Sequence, residues 1–245
     1  MTSTIFNMNL VSLQLKTTSS FEKNFQRLEK QLLKSKKNSL ILVPELYLTG
    51  YSYDRLEEAS LFTSNNIDNL KKLSHNKTIA ITMTTKKENN FYNTLHLFHN
   101  GKIVHKQSKA ILFVLHDERK YFTPGNKDDI KIIEIDGIKI ATLICFELRF
   151  IDLWKKVQGA DIILVPAMWG KLRKKHYESL TKALAITNQC YVVASNSANK
   201  DMSKSSAIIS PFGNVILDDN KKAIMDTFNP KEIKKMRRYL NVGIK

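Results

Sequence analysis

The chain has 245 residues, of which 42% are hydrophobic and 25% charged, and this composition excludes a disordered or fibrous protein. A net charge of +16 leaves nucleic acid, a membrane surface or an anionic small molecule open as partners. The cations are scattered along the chain and no nucleic-acid-binding module accompanies them, so we expect a solvated basic surface and no nucleic-acid partner.

Cysteine usage and apolar runs indicate the compartment. The two cysteines, Cys145 and Cys190, lie far apart and in no metal-ligand spacing, which suggests no disulfide framework and fits a reducing compartment. The N-terminus lacks the basic region and the small-residue cleavage site of a signal peptide. No apolar run approaches the ~18 residues of a membrane span. We therefore expect a cytoplasmic protein without a membrane segment.

The first half of the chain predicts strands and helices in alternation. Apolar residues at helical spacing predict amphipathic helices at residues 21–32 and 67–73. Short apolar or alternating runs predict strands at residues 5–15, 40–43, 78–84 and 91–98. The Asn100-Gly101 pair is typical of a hairpin turn, after which the sheet continues at Ile103.

The second half adds hairpins to strand–helix–strand units. Strands are predicted at residues 130–135, 138–144, 161–166 and 191–195, with a further hairpin at 207–217. Helices are predicted at residues 150–157 and 176–189, with a short helix and an arm from Pro230 onward. Strands that are apolar on both faces favour sheets inside and helices outside. The simplest interpretation is one layered α/β domain over residues 1–245, with 227–245 as a basic C-terminal tail.

Three predicted strand ends carry a reactive side chain: Glu45, Lys109 and Cys145. A cysteine attacks as a thiolate, so it needs a base to take its proton and a cation to stabilise the anion. Glu45 can be that base, because burial raises the pKa of a carboxyl while a nearby lysine limits the rise. Lys109 and the backbone N–H of Phe146 can donate to the oxyanion that follows attack.

Local context alone favours a plainer interpretation of each residue. A cysteine after an apolar strand is more often a small core residue, and Cys190 has a similar context without a charged neighbour. Glu45 can pair with a surface lysine, and Lys109 is one of 39 basic residues. Taken singly, none of the three identifies a catalytic site.

Together, the segments around these residues resemble the nitrilase, or carbon–nitrogen hydrolase, superfamily. The motifs are VPELYLTGY (43–51), KQSKAILF (106–113), HDERKYFTPGN (116–126) and LICFELRFIDLW (143–154). Several motifs in the correct order are more specific than any one alone. The resemblance implies a four-layer α-β-β-α sandwich, no metal or cofactor, and a homodimer or higher homo-oligomer.

The same resemblance implies a Glu–Lys–Cys triad that hydrolyses a small, non-peptide amide substrate through a thioester. It puts the general base at Glu45, the oxyanion-binding lysine at Lys109 and the nucleophile at Cys145. A second glutamate falls at Glu118, where it would orient Lys109 or the attacking water.

The spacing from Lys109 to Glu118 and the segment PAMWGKLRKKHYESL (166–180) look like ω-amidases, which release ammonia from small dicarboxylic monoamides. The free carboxylate of such a substrate suggests that cations and aromatic side chains line the pocket. The candidate cations are Arg149, Lys171, Arg173 and His176, and the candidate aromatic side chains are Tyr47 and Trp169. Arg149 can instead brace Glu147, and either aromatic side chain can belong to the core.

Two other functions remain open at this point. An N-carbamoyl amino-acid or carbamoyl-amine hydrolase would use the same triad and release carbon dioxide as well as ammonia. A binding protein would keep the fold without catalysis. Departures from the family pattern spare the triad but leave the substrate open: Ile111, Glu147, Leu184, Thr187 and Lys204, where relatives usually carry histidine, aspartate, arginine, glutamate and glycine.

Overall fold

The computed structural model describes residues 8–244, apart from the side chain of His116. Twelve strands lie within these residues. Those of the first half are β1 (Asn9–Leu13), β2 (Ser39–Leu42), β3 (Thr78–Lys87), β4 (Asn90–His99) and β5 (Lys102–Ser108). Those of the second half are β6 (Ile133–Ile135), β7 (Ile138–Thr142), β8 (Ile162–Ala167), β9 (Tyr191–Asn196), β10 (Ala207–Ile209), β11 (Val215–Leu217) and β12 (Ala223–Thr227).

The strands form two six-stranded sheets of matching design, in the orders β12-β1-β2-β3-β4-β5 and β11-β10-β9-β8-β7-β6. The three strands β1, β2 and β3 are parallel, as are β7, β8 and β9, and the outer strands pair antiparallel. Because β5 and β3 are both antiparallel to β4, β5 runs in the direction of β2 and β3. The carboxyl ends of β2, β5 and β7 therefore carry the three predicted reactive residues.

Within residues 8–244, five α-helices accompany the sheets: α1 (Phe21–Lys34), α2 (Leu56–Leu73), α3 (Ile151–Lys156), α4 (Lys174–Asn188) and α5 (Pro230–Tyr239). Helix α1 begins after Ser20, whose side chain accepts the N–H of Lys23, and it buries Phe21, Leu28 and Leu32 as the spacing predicts. Among the helices of the described residues, none combines the length and the apolar character needed to cross a bilayer.

Side-chain alternation along the strands produces the layers. Leu40 and Leu42 of β2 pack against the second sheet, whereas Ile41 between them packs against α1 and α2. On the second sheet, α4 packs with Tyr177 and Leu184 in the core. The predicted four-layer α-β-β-α sandwich is confirmed, and the core lies both between the sheets and under each helical layer.

The largest differences between the structure and the predicted elements are at β12 and α2. Strand β12 was not predicted, because only Ile224 of its five residues is buried and the segment lacks an apolar pattern; it is held by antiparallel pairing with β1. Helix α2 begins at Leu56 rather than at residue 67, since part of its buried face consists of Ala59 and Thr63. Residues 5–7 of the first predicted strand lie outside the described residues.

The basic C-terminal segment is docked where the structure describes it. Helix α5 buries Ile233 and Met236, and its Glu232 accepts the hydroxyl of Tyr191 at 2.7 Å. Its three lysines and Arg238 are exposed, because the two apolar residues are three apart on the opposite face. Arg237 instead turns inward and donates to the carbonyl of Ala160 at 2.8 Å.

Candidate active site

The side chains of Glu45, Lys109 and Cys145 meet at the carboxyl ends of β2, β5 and β7. Lys109 Nζ lies 2.9 Å from Glu45 Oε1, and the Cys145 thiol is hydrogen-bonded to Glu45. Glu45 is fully buried, Lys109 is 1% exposed and Cys145 is 8% exposed. The N–H of Glu45 donates to the carbonyl of Ala167 at 3.2 Å, which ties the two sheets together at this point.

The carboxylate of Glu45 is held by donors on both oxygens. Oε1 accepts from Lys109 Nζ (2.9 Å), the Tyr51 hydroxyl (2.7 Å) and Asn93 Nδ2 (2.9 Å). Oε2 accepts the backbone N–H of Met168 at 3.0 Å. Charge-assisted hydrogen bonds of this number fix both the position and the rotamer of the carboxylate.

Lys109 lies between two buried carboxylates. Besides Glu45, its ammonium donates to Glu118 Oε1 and Oε2 at 3.0 and 2.9 Å and to the Tyr51 hydroxyl at 3.1 Å. Glu118 also accepts the backbone N–H of Phe113 at 2.6 Å. The ammonium is thus surrounded by oxygen atoms, and its position is set by strand β5 on one side and the 113–118 loop on the other.

A glycine lets the next loop approach the end of β5. The N–H of Gly125 donates to the carbonyl of Lys109 at 2.9 Å. A Cβ at position 125 would lie 2.3 Å from the carbonyl oxygen of Ser108, closer than any side chain tolerates. Glycine is therefore required for the contact that positions the backbone of Lys109.

Cys145 lies on a sharp turn at the end of its strand. Its φ is +49°, in the left-handed region, and a 3₁₀ turn over Cys145–Arg149 begins there. A non-glycine residue in this conformation costs about 1–3 kcal/mol, and such strain is concentrated at functional sites. The turn directs the thiol away from the sheet and into the pocket that Phe146 and Met168 help to line.

The pKa values of the two carboxyl groups beside Lys109 shift in opposite directions. Burial raises the pKa of Glu45, but the charge and hydrogen bond of Lys109 and the hydrogen bond of Tyr51 outweigh it, so the pKa is lowered. The expectation of a raised pKa for Glu45 is therefore wrong. Burial and the charge of Glu45 raise the pKa of Glu118, although Lys109 opposes the rise. Burial works against the charge on Lys109, but the carboxylates of Glu45 and Glu118 outweigh it and raise the pKa of Lys109.

The thiol is protonated in the resting site. Burial and the adjacent charge of Glu45 raise the pKa of Cys145 well above its usual value, and Lys109 only partly offsets them. With an ionised Glu45 beside it, the proton rests on sulfur and has a base within hydrogen-bonding reach. If this sulfur attacks a substrate, its thiolate has to form in step with the attack, and that arrangement is general-base catalysis.

Glu147 links the two loops that carry Lys109 and Cys145. It is fully buried, and its carboxylate accepts the N–H of Ala110 at 2.6 Å and of Ile144 at 2.7 Å. These are the residues next to Lys109 and Cys145. Burial raises the pKa of Glu147 to about 7, although the hydrogen bonds from Ile144 and Ala110 oppose the rise. The alternative pairing of Arg149 with Glu147 is not found, because the Glu147 carboxylate is turned inward to these backbone groups.

Two arginines flank the mouth of the pocket above Cys145. The guanidinium of Arg149 lies 4.8 Å from the ring centre of Trp169, and that of Arg173 lies 5.3 Å from the ring centre of Phe113. All four side chains line the pocket, which occupies about 430 Å³ including its open mouth. Among the described residues, neither guanidinium is in a salt bridge, so both cations can bind an anionic group.

Three of the predicted substrate-binding residues do not line the pocket, and one of them, Lys171, is exposed on the turn before α4. Tyr47 does not wall this pocket, because its fully buried ring points to the other side of the sheet and packs with Leu28 and Leu32 of α1; that expectation is wrong. His176 is exposed and does not line the pocket, but its Nδ1 is 3.1 Å from a terminal nitrogen of Arg149. It contacts the site only through that arginine.

Tyr51 and Asn93 complete the cluster and were missed from the sequence. Tyr51 is the last residue of the motif VPELYLTGY and lies four residues after Tyr47. The sequence does not show which of the two tyrosines points to Glu45, because that depends on the path of the chain after Pro44. Asn93 lies on the same face of β4 as Leu95 and Leu97, which face the second sheet. A polar residue at an inward position of a buried strand needs a partner, and that was the available signal.

The amino-acid sequence of this chain matches a known protein family over most of its length. The sequence matches the family model described as carbon-nitrogen hydrolase over residues 9–238. The chain therefore belongs to the carbon–nitrogen hydrolase family, within the nitrilase superfamily that the motifs predicted. Its activity is amidase-type hydrolysis of a carbon–nitrogen bond.

Individual relatives agree in sequence and fold. The 2-oxoglutaramate amidase of Bacillus subtilis is 31% identical over 199 residues, which cover 77% of this chain and 76% of that protein. The omega-amidase YafV of Escherichia coli is 28% identical over 201 residues, covering 79% and 77%. The structure of Saccharomyces cerevisiae Nit3, a member of branch 10 of the nitrilase superfamily, superposes with a TM-score of 0.85 at 21% identity and covers 97% of this chain and 95% of that chain.

Proposed function

We propose that this protein is an ω-amidase-like enzyme that releases ammonia from a small amide carrying a free carboxylate. The observation that carries the proposal is the buried cluster of Glu45, Lys109 and Glu118 beside Cys145, opening into a pocket with two arginines at its mouth. The similarity to proteins named 2-oxoglutaramate amidase and omega-amidase supports the same class of substrate.

In the first half-reaction, Cys145 attacks the amide carbon while its thiol proton passes to Glu45. The carbonyl oxygen becomes an oxyanion, which Lys109 Nζ and the backbone N–H of Phe146 stabilise. The nitrogen takes the proton from Glu45, the carbon–nitrogen bond breaks, and ammonia leaves. The acyl group remains on sulfur as a thioester.

In the second half-reaction, Glu45 is ionised again and takes a proton from a water molecule that attacks the thioester. The carbon–sulfur bond breaks, the free acid leaves, and the proton returns to the sulfur of Cys145. Glu118 acts as a positioning residue, because it holds Lys109 by two hydrogen bonds without being hydrogen-bonded to the thiol.

Ammonia release over a panel of amides tests the reaction. The panel contains 2-oxoglutaramate, succinamate, the neutral amide butyramide, ureido acids and nitriles. We expect turnover of the carboxylated amides and a loss of at least roughly 10⁴-fold in Cys145→Ala, whereas Cys190→Ala keeps full activity. Release only from ureido acids would move the protein to the carbamoyl branch. Folded protein without turnover of any compound would favour a binding role.

The arginines at the mouth account for the carboxylate preference in this proposal. A bidentate arginine–carboxylate pair is worth about 1–3 kcal/mol, so Arg149→Gln is expected to raise KM for succinamate by roughly tenfold and to leave butyramide unchanged. Lys171→Gln is the matched control, because Lys171 is exposed on the turn that carries Arg173 but does not line the pocket. Equal effects on succinamate and butyramide would show that Arg149 does not recognise the substrate carboxylate.

We also propose that the enzyme works in the cytoplasm as a homodimer or higher oligomer. A thiol nucleophile must stay reduced, which a cytoplasmic setting ensures. The edge strand β11 exposes 44% of Val215, 44% of Ile216 and 37% of Leu217, and such an apolar edge favours association. Light scattering of Ile216→Lys against the native chain tests this assembly: a lower mass is expected for the variant.

A further inference from the structure

A second cleft, remote from Cys145, concentrates positive charge. It lies between α1 and the loops that follow β1, β9 and β11. Seven lysines and arginines line it, against the single carboxylate of Asp219. Such a surplus of like charge in a concave site raises the local potential, which attracts anions.

One wall of the cleft is a face of helix α1. Arg27, Lys30 and Lys34 recur at spacings of three and four, so they project from the same side of the helix, and all three are exposed. Gln31 lies between them on that side. Among the described residues, these three cations form no salt bridge, which leaves their charges free for a ligand.

The opposite wall is a loop that is held in place before any ligand binds. The backbone N–H of Gln14 donates to the carbonyl of Lys222 at 2.8 Å, and its buried side chain donates to the carbonyl of Lys221 at 3.0 Å. The carboxylate of Asp219 is already occupied by Lys174 at 2.6 Å. Lys221 Nζ lies 3.5 Å from a carboxylate oxygen of Asp218. Lys222 forms no salt bridge among the described residues, so it offers its charge to the cleft from a preorganised backbone.

The floor of the cleft contains a buried hydroxyl without a partner. Tyr47 lines the cleft, its side chain is fully buried, and its hydroxyl has no hydrogen bond within the described part of the chain. Burial raises the pKa of Tyr47 to about 12, with nearby Arg27 opposing the rise, so the hydroxyl stays a proton donor at neutral pH. An unsatisfied buried donor costs free energy, which an acceptor atom of a ligand would recover.

We propose that this cleft binds a compact anion that carries two or more phosphate groups. The cations of α1 and of the 218–222 loop neutralise its charge from two sides, and the Tyr47 hydroxyl donates to its innermost oxygen. A small molecule fits better than an extended nucleic acid, because the hydroxyl lies at the bottom of a concave site that a flat surface or a stiff duplex does not reach.

Isothermal titration with inorganic tripolyphosphate tests the site. The cleft variant is Arg27→Glu with Lys30→Glu, and the matched control is Lys231→Glu with Lys234→Glu, which changes the net charge equally on the exposed face of α5. We expect one tripolyphosphate per chain, weakened roughly tenfold or more in the cleft variant and much less in the control. Thermal melting and amide hydrolysis of each variant confirm folding.

Tyr47→Phe separates the floor contact from general charge attraction. It keeps the ring and every cation, so weaker tripolyphosphate binding with unchanged salt dependence supports the proposal. Equal losses in the cleft and control variants, several ions per chain, no binding, or an unchanged Tyr47→Phe would each overturn it. An oligonucleotide that binds more tightly than tripolyphosphate and depends on Arg27 and Lys30 would overturn it in favour of a nucleic acid.

Discussion

The two cysteines of the second sheet offer a natural comparison. Cys145 follows β7 and Cys190 precedes β9, both are buried, and burial raises the pKa of both thiols. They differ in their neighbours. Cys145 is hydrogen-bonded to Glu45, lies near the ammonium of Lys109 and opens into a pocket. Cys190 is fully buried, and the charges of Arg237 and Asp161 act on its pKa in opposite directions.

This difference shows that a low thiol pKa is not what marks the reactive cysteine here. In both cases burial favours the protonated thiol. What distinguishes Cys145 is a neighbouring carboxylate that can take its proton, a buried ammonium close by, and a strained turn that presents the sulfur to the pocket. The following changes test these features, beginning with the base.

Replacing the base has the largest expected effect. Glu45→Gln keeps the shape of the side chain but cannot take the proton, so kcat is expected to fall by roughly 10²–10⁴-fold in an ammonia-release assay. The negative charge of Glu45 raises the pKa of Cys145, so its removal leaves alkylation of Cys145 by iodoacetamide at least as fast. Parallel loss of hydrolysis and alkylation would instead show that the variant blocks access to the sulfur.

Alkylation of the native protein compares the two thiols directly. Cys145 is 8% exposed and Cys190 is fully buried. Cys190 reacts only after local opening, and an opening of about 3 kcal/mol would make Cys145 react roughly a hundredfold faster. Mass spectrometry of tryptic peptides after iodoacetamide treatment measures both rates. Equal rates in folded protein would count against Cys145 as the nucleophile.

A moderate effect on activity is expected at Glu147, which links the turn of Cys145 to the loop of Lys109. The pKa of Glu147 is about 7, and its protonation removes an acceptor from the N–H of Ala110 or Ile144. Activity is therefore expected to decline as the pH falls through about 7. In Glu147→Gln, kcat/KM should be roughly tenfold lower, and the decline of activity at acidic pH should disappear. In Glu147→Asp, which keeps a titrating carboxyl, a decline at acidic pH should remain. If Glu147→Gln shows the same decline of activity at acidic pH as the native protein, another group causes that decline.

The same residue affects stability in the opposite direction. Its folded-state pKa of about 7 lies above the ordinary value of 4.5. Its contribution to stability is then fully present below pH 4.5 and lost as the pH rises through about 7. Urea unfolding between these pH values should show native stability falling relative to Glu147→Gln, in the range where activity rises.

The smallest effect is expected at Cys190. Cys190→Ala removes one buried sulfur and leaves a small cavity, which costs about 1 kcal/mol of unfolding free energy. Urea denaturation measures that loss, and kcat should stay at the native value because Cys190 does not line the catalytic pocket. A fall in kcat without a change in stability would mean that the two cysteines are not independent.

Much of the fold was predictable because its signals are local. Helix α1 follows from apolar spacing and a serine cap, and the Asn100-Gly101 and Asp136-Gly137 turns follow from residues that tolerate positive φ, at 47° and 80° and at 51° and 77°. Strand β12 and the first half of α2 escaped prediction, since pairing with β1 and burial of small residues stabilise them from outside the segment.

The candidate site was predictable only in part, for a similar reason. The order and spacing of the motifs identified Glu45, Lys109, Glu118 and Cys145 as residues for one kind of chemistry. Whether Tyr47 or Tyr51 joins them depends on how the chain turns after Pro44, and Asn93 reaches Glu45 across the first sheet. Contacts between residues far apart in the chain have no local signal.

The sequence by itself determined the layered α/β class, the family and the candidates for reactive side chains, because these follow from periodicity and from motifs in order. Only the tertiary structure decided the charge state of the site. Burial and the Lys109 ammonium act on Glu45 in opposite directions, and the outcome depends on distances of about 3 Å. It also turned Tyr47 away from the catalytic pocket and into a second, cationic cleft, since the side of a sheet that a residue faces is set by packing between elements.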